Sequence, residues 1–286
     1  MFLRILVPVA VEHRVLAIGL VAMTAAISSY VPAYGQQRLI SIGERRLSIN
    51  CGGQRTDDTT VVLMPGGGEP ASDWAKVQPK VATFARVCSY DPAGSGNSDN
   101  TAEPQSADEF VDDLHALLKA ASESKPFVLV ANSLAGIFAR RFATRFPDEV
   151  AGFVFVDSSH EEQAWRLHEI DPGGPPLSDK FARMGFFIKP GQRLDWRTEL
   201  PLIVLARGKP FPRTGQLTEE QFAKWDQIWA AMQHDLATHS PKGEYRRAAK
   251  SGHFIVLDEP ELIVQAIGDV CRVRRRETRQ SLPDKP

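Results

Sequence analysis

Short apolar runs typical of buried strands alternate along this chain with amphipathic segments typical of helices. The runs at 60–64 and 127–131 are rich in Val, Leu and Phe, whereas segment 106–121 repeats apolar residues on one helical face. This alternation favours a mostly parallel, doubly wound α/β sheet with helices on both faces. The predicted strands are 38–42, 46–51, 60–64, 86–90, 127–131, 152–156, 201–206 and 244–250, and the predicted helices are 74–84, 106–121, 134–146, 218–239 and 260–274.

The N-terminal segment differs from the rest of the chain. Arg4 and Arg14 precede the apolar stretch 15–27, which is too short to span a bilayer, and the small residues Ala33 and Gly35 follow it. This pattern predicts a secretory signal peptide over 1–35, and hence a secreted or periplasmic protein with no stable membrane span after its removal. An uncleaved N-terminal anchor is the alternative.

The remaining chain is predicted to form one domain, 36–275, because its length suits a single large α/β domain. A Pro- and Gly-rich segment, 158–200, interrupts the alternation and predicts a small inserted cap. The polar segment 276–286 predicts a flexible tail. A net charge of −1 and the lack of a long basic run before the tail argue against nucleic acid as a partner.

Ser133 lies in the sequence FVLVANSLAGIFARRF, where an apolar strand turns directly into a helix. A serine at such a turn is the geometry of a nucleophile elbow, and the N-terminal N–H groups of the helix can stabilise a developing negative charge. Ala131 and Ala135 supply the small side chains that close packing of strand and helix requires. The alternative is that Ser133 only caps the helix.

Three more segments carry chemistry at the ends of predicted strands. Strand 60–64 leads into PGGGEP and then DW, and the glycines would let a backbone N–H approach a substrate oxygen. Strand 86–90 leads into YDPAGSGNSD, and the last strand leads into SGH, which contains His253. For one histidine among seven, a loop position with no role is the alternative.

These four motifs, in their order along the chain, resemble those of the α/β-hydrolase fold superfamily over 38–274. The resemblance implies that Ser133 is the nucleophile and His253 the general base. It further implies that the backbone N–H groups of Gly67 and Leu134 form the oxyanion hole.

The chain departs from the superfamily pattern at several positions. Pro65 and Asn132 stand where many members have His, and the elbow has Ala131 and Ala135 in place of glycines. We expect these departures to affect substrate preference and elbow strain more than the class of reaction.

The resemblance also implies a carboxylate that orients His253 and completes a catalytic triad. The strand predicted at 201–206 leads into RGKPFPR, which contains no carboxylate. In this fold the acid usually follows that strand. Asp157 ends the preceding strand, and some lipase-like members take their acid from there. We therefore predict Asp157 as the acid, with Asp235 as the alternative; a simple turn-capping role for Asp157 is the other possibility.

The resemblance also suggests a disulfide. In this fold the strand ending at Cys51 lies beside the strand holding Cys88, and in an exported protein the two thiols can form a disulfide in an oxidising compartment. Cys271, on the last helix, would then remain a buried thiol outside the bond. Three separate buried cysteines are the alternative. The chain has no CxxC pair and no His/Cys cluster at ligand spacing, so no metal site is predicted.

The predicted function is that of a carboxylesterase-like serine hydrolase acting on a small acyl substrate, with no cofactor. An aminopeptidase or amidase, or a catalytically silent binding protein on the same fold, is the alternative. Other conspicuous residues are predicted to be structural. Core or cap contacts are expected at Trp225, Trp229 and Met232, surface positions at His234 and His239, and a solvated helix face at Arg140, Arg141 and Arg145.

Overall fold

The computed structural model of the chain describes residues 35–55, 59–170, 185–187, 196, 198–211 and 217–281. The predicted signal peptide lies almost entirely outside the described residues, as do much of the predicted cap and the end of the predicted tail. The strands are β1 Arg38–Ser41, β2 Arg46–Gly52, β3 Thr60–Met64, β4 Arg86–Tyr90, β5 Phe127–Asn132, β6 Val150–Val156, β7 Leu202–Arg207 and β8 Gly243–Ala248. The described helices are α1 Gln78–Val81, α2 Ala107–Ala120, α3 Ala135–Arg145, α4 Gln163–Ile170, α5 Glu219–Ala237, α6 Ile255–Asp258 and α7 Pro260–Ser281.

The eight strands form one sheet in the order β1-β2-β4-β3-β5-β6-β7-β8. β2 runs antiparallel to both β1 and β4, and every other neighbouring pair is parallel. Along β5, Leu129 belongs to the hydrophobic cluster on one face and Val130 to the cluster on the other. Residues of α2 and α3 pack in the first cluster and those of α6 and α7 in the second, so helices cover both faces, as predicted.

Local sequence explains where several helices begin. Ser106 and Glu109 form a reciprocal capping box at the start of α2, and Thr218 and Gln221 form another at the start of α5. Each box satisfies two N–H groups that a helix end leaves without partners. No described helix combines the length and the apolar composition needed to cross a membrane.

Two predicted helices differ from those observed. The helix predicted at 74–84 is instead a 3₁₀ helix, Ala71–Lys76, followed by the short α1. Pro79 lies in the first turn of α1, and its ring and missing N–H prevent one continuous helix through this segment. The last helix continues to Ser281 rather than ending at 274, so the predicted tail begins within it.

A disulfide joins Cys51 and Cys88, which are direct partners in the β2–β4 register. The predicted pairing is confirmed. Cys271 is buried on α7 and lies outside this bond.

The parallel strands bring the predicted site to one edge of the sheet. Asn132 at the end of β5 pairs with Val156 at the end of β6, and Val156 pairs with Leu205 near the end of β7. Ser133 and Asp157 are the residues that follow β5 and β6. They therefore lie at the same edge.

Candidate active site

Ser133 occupies the sharp turn between β5 and α3 with a φ of 48°. Such a conformation costs a residue with a side chain about 1–3 kcal/mol, so its surroundings must hold it in place. The Ser133 N–H donates to Val156 O at 3.0 Å, and the Ser159 N–H donates to Ser133 O at 2.8 Å. The end of β6 and the loop after it thus fix the turn from both sides while Ser133 takes the positive φ.

Close packing at this turn is concentrated at Gly136. A Cβ on Gly136 would lie 2.6 Å from the Cβ of Ser158, which is too close for any side chain. Ala131 and Ala135 are buried and fit where they stand. The small residue that the turn requires is therefore one position later than the sequence pattern suggested.

His253 joins the turn to the end of β6. Its Nε2 lies 3.0 Å from Ser133 Oγ, and its Nδ1 lies 2.7 Å from Asp157 Oδ2. The structure thus brings the three residues predicted as nucleophile, base and acid into one hydrogen-bonded row. A base must be oriented in this way if it is to accept a proton from the serine hydroxyl.

Asp157 is fully buried and has a φ of 41°. Its Oδ1 accepts hydrogen bonds from the Arg207 N–H at 3.0 Å and from Trp229 Nε1 at 2.9 Å. The Arg207 guanidinium lies 3.3 Å from Oδ2, the oxygen that faces His253. The sequence did not indicate either partner, although Trp229 was predicted to make core or cap contacts and Arg207 begins the segment in which no carboxylate was found.

The alternative acid, Asp235, does not face His253. Its Oδ2 lies 3.0 Å from His160 Nε2 and 3.2 Å from His239 Nε2. The hydrogen bond from His160, followed by that from His239, holds the pKa of Asp235 below its usual value although partial burial opposes this. The alternative placement of the acid at Asp235 is therefore wrong on geometry. His239 is also partly buried, contrary to its predicted surface position, because it contacts Asp235 and Trp196.

The glycine loop after β3 lies against the start of α3. A Cβ on Gly67 would come within 2.9 Å of Leu134 Cδ2, so the two predicted oxyanion-hole residues are neighbours. Among the hydrogen bonds of the described residues, the backbone N–H groups of Gly67 and Leu134 have no acceptor. A developing oxyanion requires N–H donors without other acceptors, and these two residues are neighbours at the turn that holds Ser133.

Glu69 connects this loop to the turn at Ser133. Its Oε2 accepts hydrogen bonds from the Gly66 N–H at 2.8 Å and from Asn132 Nδ2 at 2.7 Å. Asn132 directly precedes Ser133, so one carboxylate oxygen joins the loop to the turn. Asn132, which stands where many members of the superfamily have histidine, thus donates a hydrogen bond to Glu69, a contact that the sequence pattern did not indicate.

Glu69 also affects a neighbouring carboxyl group. Burial, and then the negative charge of Glu69, raise the pKa of nearby Asp73.

Aromatic rings surround the imidazole of His253. Ring centroids of Phe211, Phe254 and Trp229 lie 4.9, 5.5 and 5.9 Å from that of His253. Phe254 is half exposed, whereas Trp229 is buried. The side of the row next to His253 is therefore apolar.

The position of Arg140 on α3 contradicts the prediction made for it. Arg140, expected on a solvated face, is fully buried, and its Nη2 lies 3.0 Å from Glu161 Oε2. The segment that follows β6 folds onto α3, where Gly136 admits Ser158, and it covers this face of the helix. Arg141 and Arg145 remain partly exposed and pair with Asp108 and Asp112 of α2.

Among the described residues, one group of acidic and sulfur side chains is close enough to share a metal ion, and it consists of Cys51, Cys88 and Glu123. Its two sulfur atoms form the disulfide, so they are not available as thiolate ligands.

Comparison with known proteins agrees with this architecture. A family model described as the alpha/beta hydrolase fold matches residues 59–175. The uncharacterized protein YqjL of Bacillus subtilis is 27% identical over 221 residues, which cover 74% of this chain and 83% of that protein.

Two solved structures have a similar fold. A putative lipase from Acinetobacter baumannii superposes with a TM-score of 0.59 at 16% identity, covering 85% of this chain and 92% of that one. A thermophilic esterase from Thermogutta terrifontis superposes with a TM-score of 0.59 at 18% identity, covering 84% and 99%. These likenesses confirm the fold class predicted from the sequence.

Proposed function

We propose that this chain, which has the α/β-hydrolase fold, is a serine hydrolase that cleaves a carboxylic ester or a related acyl bond. The observation that carries the proposal is the hydrogen-bonded row formed by Ser133, His253 and Asp157. This row lies beside the unpaired N–H groups of Gly67 and Leu134. A nucleophile, a base, an orienting carboxylate and an anion-binding pair are the parts that acyl transfer needs.

The first half of the reaction forms an acyl-enzyme. Ser133 Oγ attacks the acyl carbonyl carbon while His253 Nε2 takes the hydroxyl proton, and the carbonyl oxygen becomes an oxyanion facing Gly67 and Leu134. The tetrahedral intermediate then collapses. The bond to the leaving group breaks, and Nε2 returns its proton to the departing oxygen.

The second half releases the acid. A water molecule attacks the acyl carbon of the ester on Ser133, and His253 Nε2 takes the proton of that water. Collapse of the second tetrahedral intermediate breaks the bond to Oγ, which recovers the proton from Nε2. The products are a carboxylic acid, an alcohol and the unchanged enzyme.

Asp157 holds His253 in the correct tautomer. Its carboxylate accepts the Nδ1–H, which leaves the Nε2 lone pair facing Ser133, and its charge stabilises the imidazolium that forms. Every part of this cycle is supplied by the chain, so no cofactor enters the proposal. The substrate is a small acyl compound, and the apolar surroundings of His253 favour an apolar leaving group.

Export to an oxidising compartment is part of the proposal. The signal-peptide pattern over 1–35 motivates it, and the Cys51–Cys88 disulfide supports it because such bonds persist mainly outside the cytosol.

A hydrolysis screen tests the reaction class. Purified protein is offered aryl and alkyl esters of different acyl length, together with aminoacyl anilides, and Ser133→Ala is run in parallel. We expect ester hydrolysis that Ser133→Ala abolishes. The matched control is Ser122→Ala, which removes a hydroxyl from an exposed serine at a φ of 59° and should leave the rate unchanged. Turnover of anilides alone would favour an amidase, and no turnover of any class would favour a silent binding protein.

A further inference from the structure

Arg207 ends β7, at the position where the resemblance led us to expect a carboxylate. Its main-chain N–H donates to Asp157 Oδ1 at 3.0 Å, and its Nη1 lies 3.3 Å from Asp157 Oδ2. The side chains of Arg207 and Asp157 are 4% and 0% exposed, so water screens this ion pair little. In this fold the acid usually follows this strand. In this chain the strand ends instead in Arg207, a cation that pairs with Asp157.

The guanidinium is held in place by three further contacts. Arg207 Nη2 lies 2.5 Å from Asp226 Oδ1 on α5. Its central carbon lies 4.0 Å from the ring centroid of Phe211 and 4.9 Å from that of Trp229. Contact with two aromatic rings, combined with two carboxylate partners, leaves the guanidinium little freedom to move.

We propose that Arg207 is a positioning residue which, through Asp157, sets the pH range in which His253 can act as a base. The proposal rests on the proposed function. The carboxylate of Asp157 is shared between His253 and Arg207, since the oxygen that faces His253 also faces the Arg207 guanidinium. The more of this charge Arg207 neutralises, the less Asp157 favours the imidazolium form of His253.

Other titratable groups lie around the pair. From β8, Arg247 lies beside Tyr245, whose pKa is raised chiefly by burial, so the phenol stays neutral. In the loop that holds His253, the Gly252 N–H donates to Asp258, and Ser251 Oγ donates to Glu259. Within the described residues, Arg207 is the permanent cation in contact with Asp157. Substitutions at Arg207 and its partner Asp226 therefore isolate its effect.

Two substitutions should act in opposite directions. Arg207→Met keeps the apolar bulk between the rings but removes the cation, so the His253 imidazolium is favoured and its titration should move up by about one pH unit. Asp226→Asn removes the second partner of Arg207, leaves more of its charge for Asp157, and should move the titration down by a smaller amount. Arg207→Lys keeps the charge and should restore most of the wild-type midpoint.

The midpoint is measured by NMR titration of the His253 ring in the Ser133→Ala background, which needs no substrate. The pH dependence of covalent labelling by a fluorophosphonate is measured with Ser133 intact. Arg86→Met is the matched control, because it removes a partly buried arginine paired with Glu123 at the opposite edge of the sheet. It should leave both profiles unchanged.

Opposite shifts in Arg207→Met and Asp226→Asn support the proposal, whereas unchanged midpoints, or shifts of reversed sign, overturn it. Should Arg207→Met fail to fold, Asp226→Asn decides alone, since Asp226 lies near the surface. A wild-type protein that the fluorophosphonate does not label contradicts the proposed function. The NMR titration would still decide the role of Arg207.

Discussion

Asp157 has two unusual properties for a single residue: its backbone adopts a positive φ, and its carboxylate is buried with four hydrogen-bond contacts. A buried charge is tolerated only when it is fully paired, and here both oxygens have partners. The positive φ at Asp157 follows directly on β6. A backbone conformation that is costly for a non-glycine residue is tolerated where the surrounding contacts fix it, and such residues cluster at functional sites.

At this residue scale we predict that Asp157→Asn lowers kcat by about 10³–10⁴-fold while KM changes little. An asparagine amide can donate to Nδ1 of His253, which places the imidazole hydrogen on Nε2, where it cannot accept a proton from Ser133. Steady-state kinetics on the best ester substrate measure the effect. Asp235→Asn serves as control, and a rate for Asp157→Asn similar to that of this control would remove Asp157 from the mechanism.

At the scale of elements, the site depends on loops that the parallel strands bring to one edge. The loop after β3 and the turn after β5 are held together by Glu69, which accepts from both Gly66 and Asn132. The oxyanion hole that we propose takes one N–H from each of these segments. Its geometry therefore depends on a contact between residues far apart in sequence.

We predict that Glu69→Ala lowers kcat by about 10- to 100-fold, less than the loss of a donor itself, because the glycine loop is no longer fixed against Ser133. Asn132→Ala should give a similar loss. Kinetics of the two single variants and of the double variant form a thermodynamic cycle. Strictly additive effects of the two substitutions would show that the Glu69–Asn132 contact does not position the loop.

The local sequence was sufficient for some parts of the site. Ser133 stands at a strand-to-helix turn and His253 in the loop after the last strand, and both positions follow from apolar patterning and chain order. The prediction of Asp157 needed the family resemblance as well, because only the resemblance indicated that an acid is expected after the next strand, which ends without a carboxylate. In contrast, Arg207, Trp229 and Glu69 could not be assigned, since their contacts join separate elements and leave no periodic pattern in the sequence.

Arg140 shows a related limit. Its spacing with Arg141 and Arg145 suggested one charged helix face, yet the segment after β6 covers only part of that face. Helical periodicity indicates which residues share a face but not which later segment packs on it. The missed ends of the helices at 74–84 and 260–274 have local causes, Pro79 in the first case and an uninterrupted charged sequence in the second.

At the scale of the whole molecule, the antiparallel β2 joins the parallel sheet through β4 and through one covalent bond. Cys51 and Cys88 face each other in the register, with their Cα atoms 4.1 Å apart. The bond closes a loop with a sequence separation of 37 residues. Closing such a loop restricts the unfolded chain more than the folded one.

We predict that the double variant Cys51→Ser, Cys88→Ser lowers the free energy of unfolding by about 3–4 kcal/mol. Urea unfolding of the oxidised protein and of the double variant measures the difference. Cys271→Ser, which leaves the disulfide in place, is the control for replacing a buried cysteine. Equal stability of the double variant and the oxidised protein would contradict a structural role for the bond.

In the function proposed here, Ser133 is a nucleophile activated by His253. Reaction of the folded protein with a fluorophosphonate, followed by mass mapping of the adduct, tests this claim most directly because it requires no knowledge of the substrate. We expect one adduct, on the peptide that contains Ser133, which is lost in Ser133→Ala and forms far more slowly in His253→Ala. An adduct on another serine, or labelling of Ser133→Ala at the wild-type rate, would contradict it.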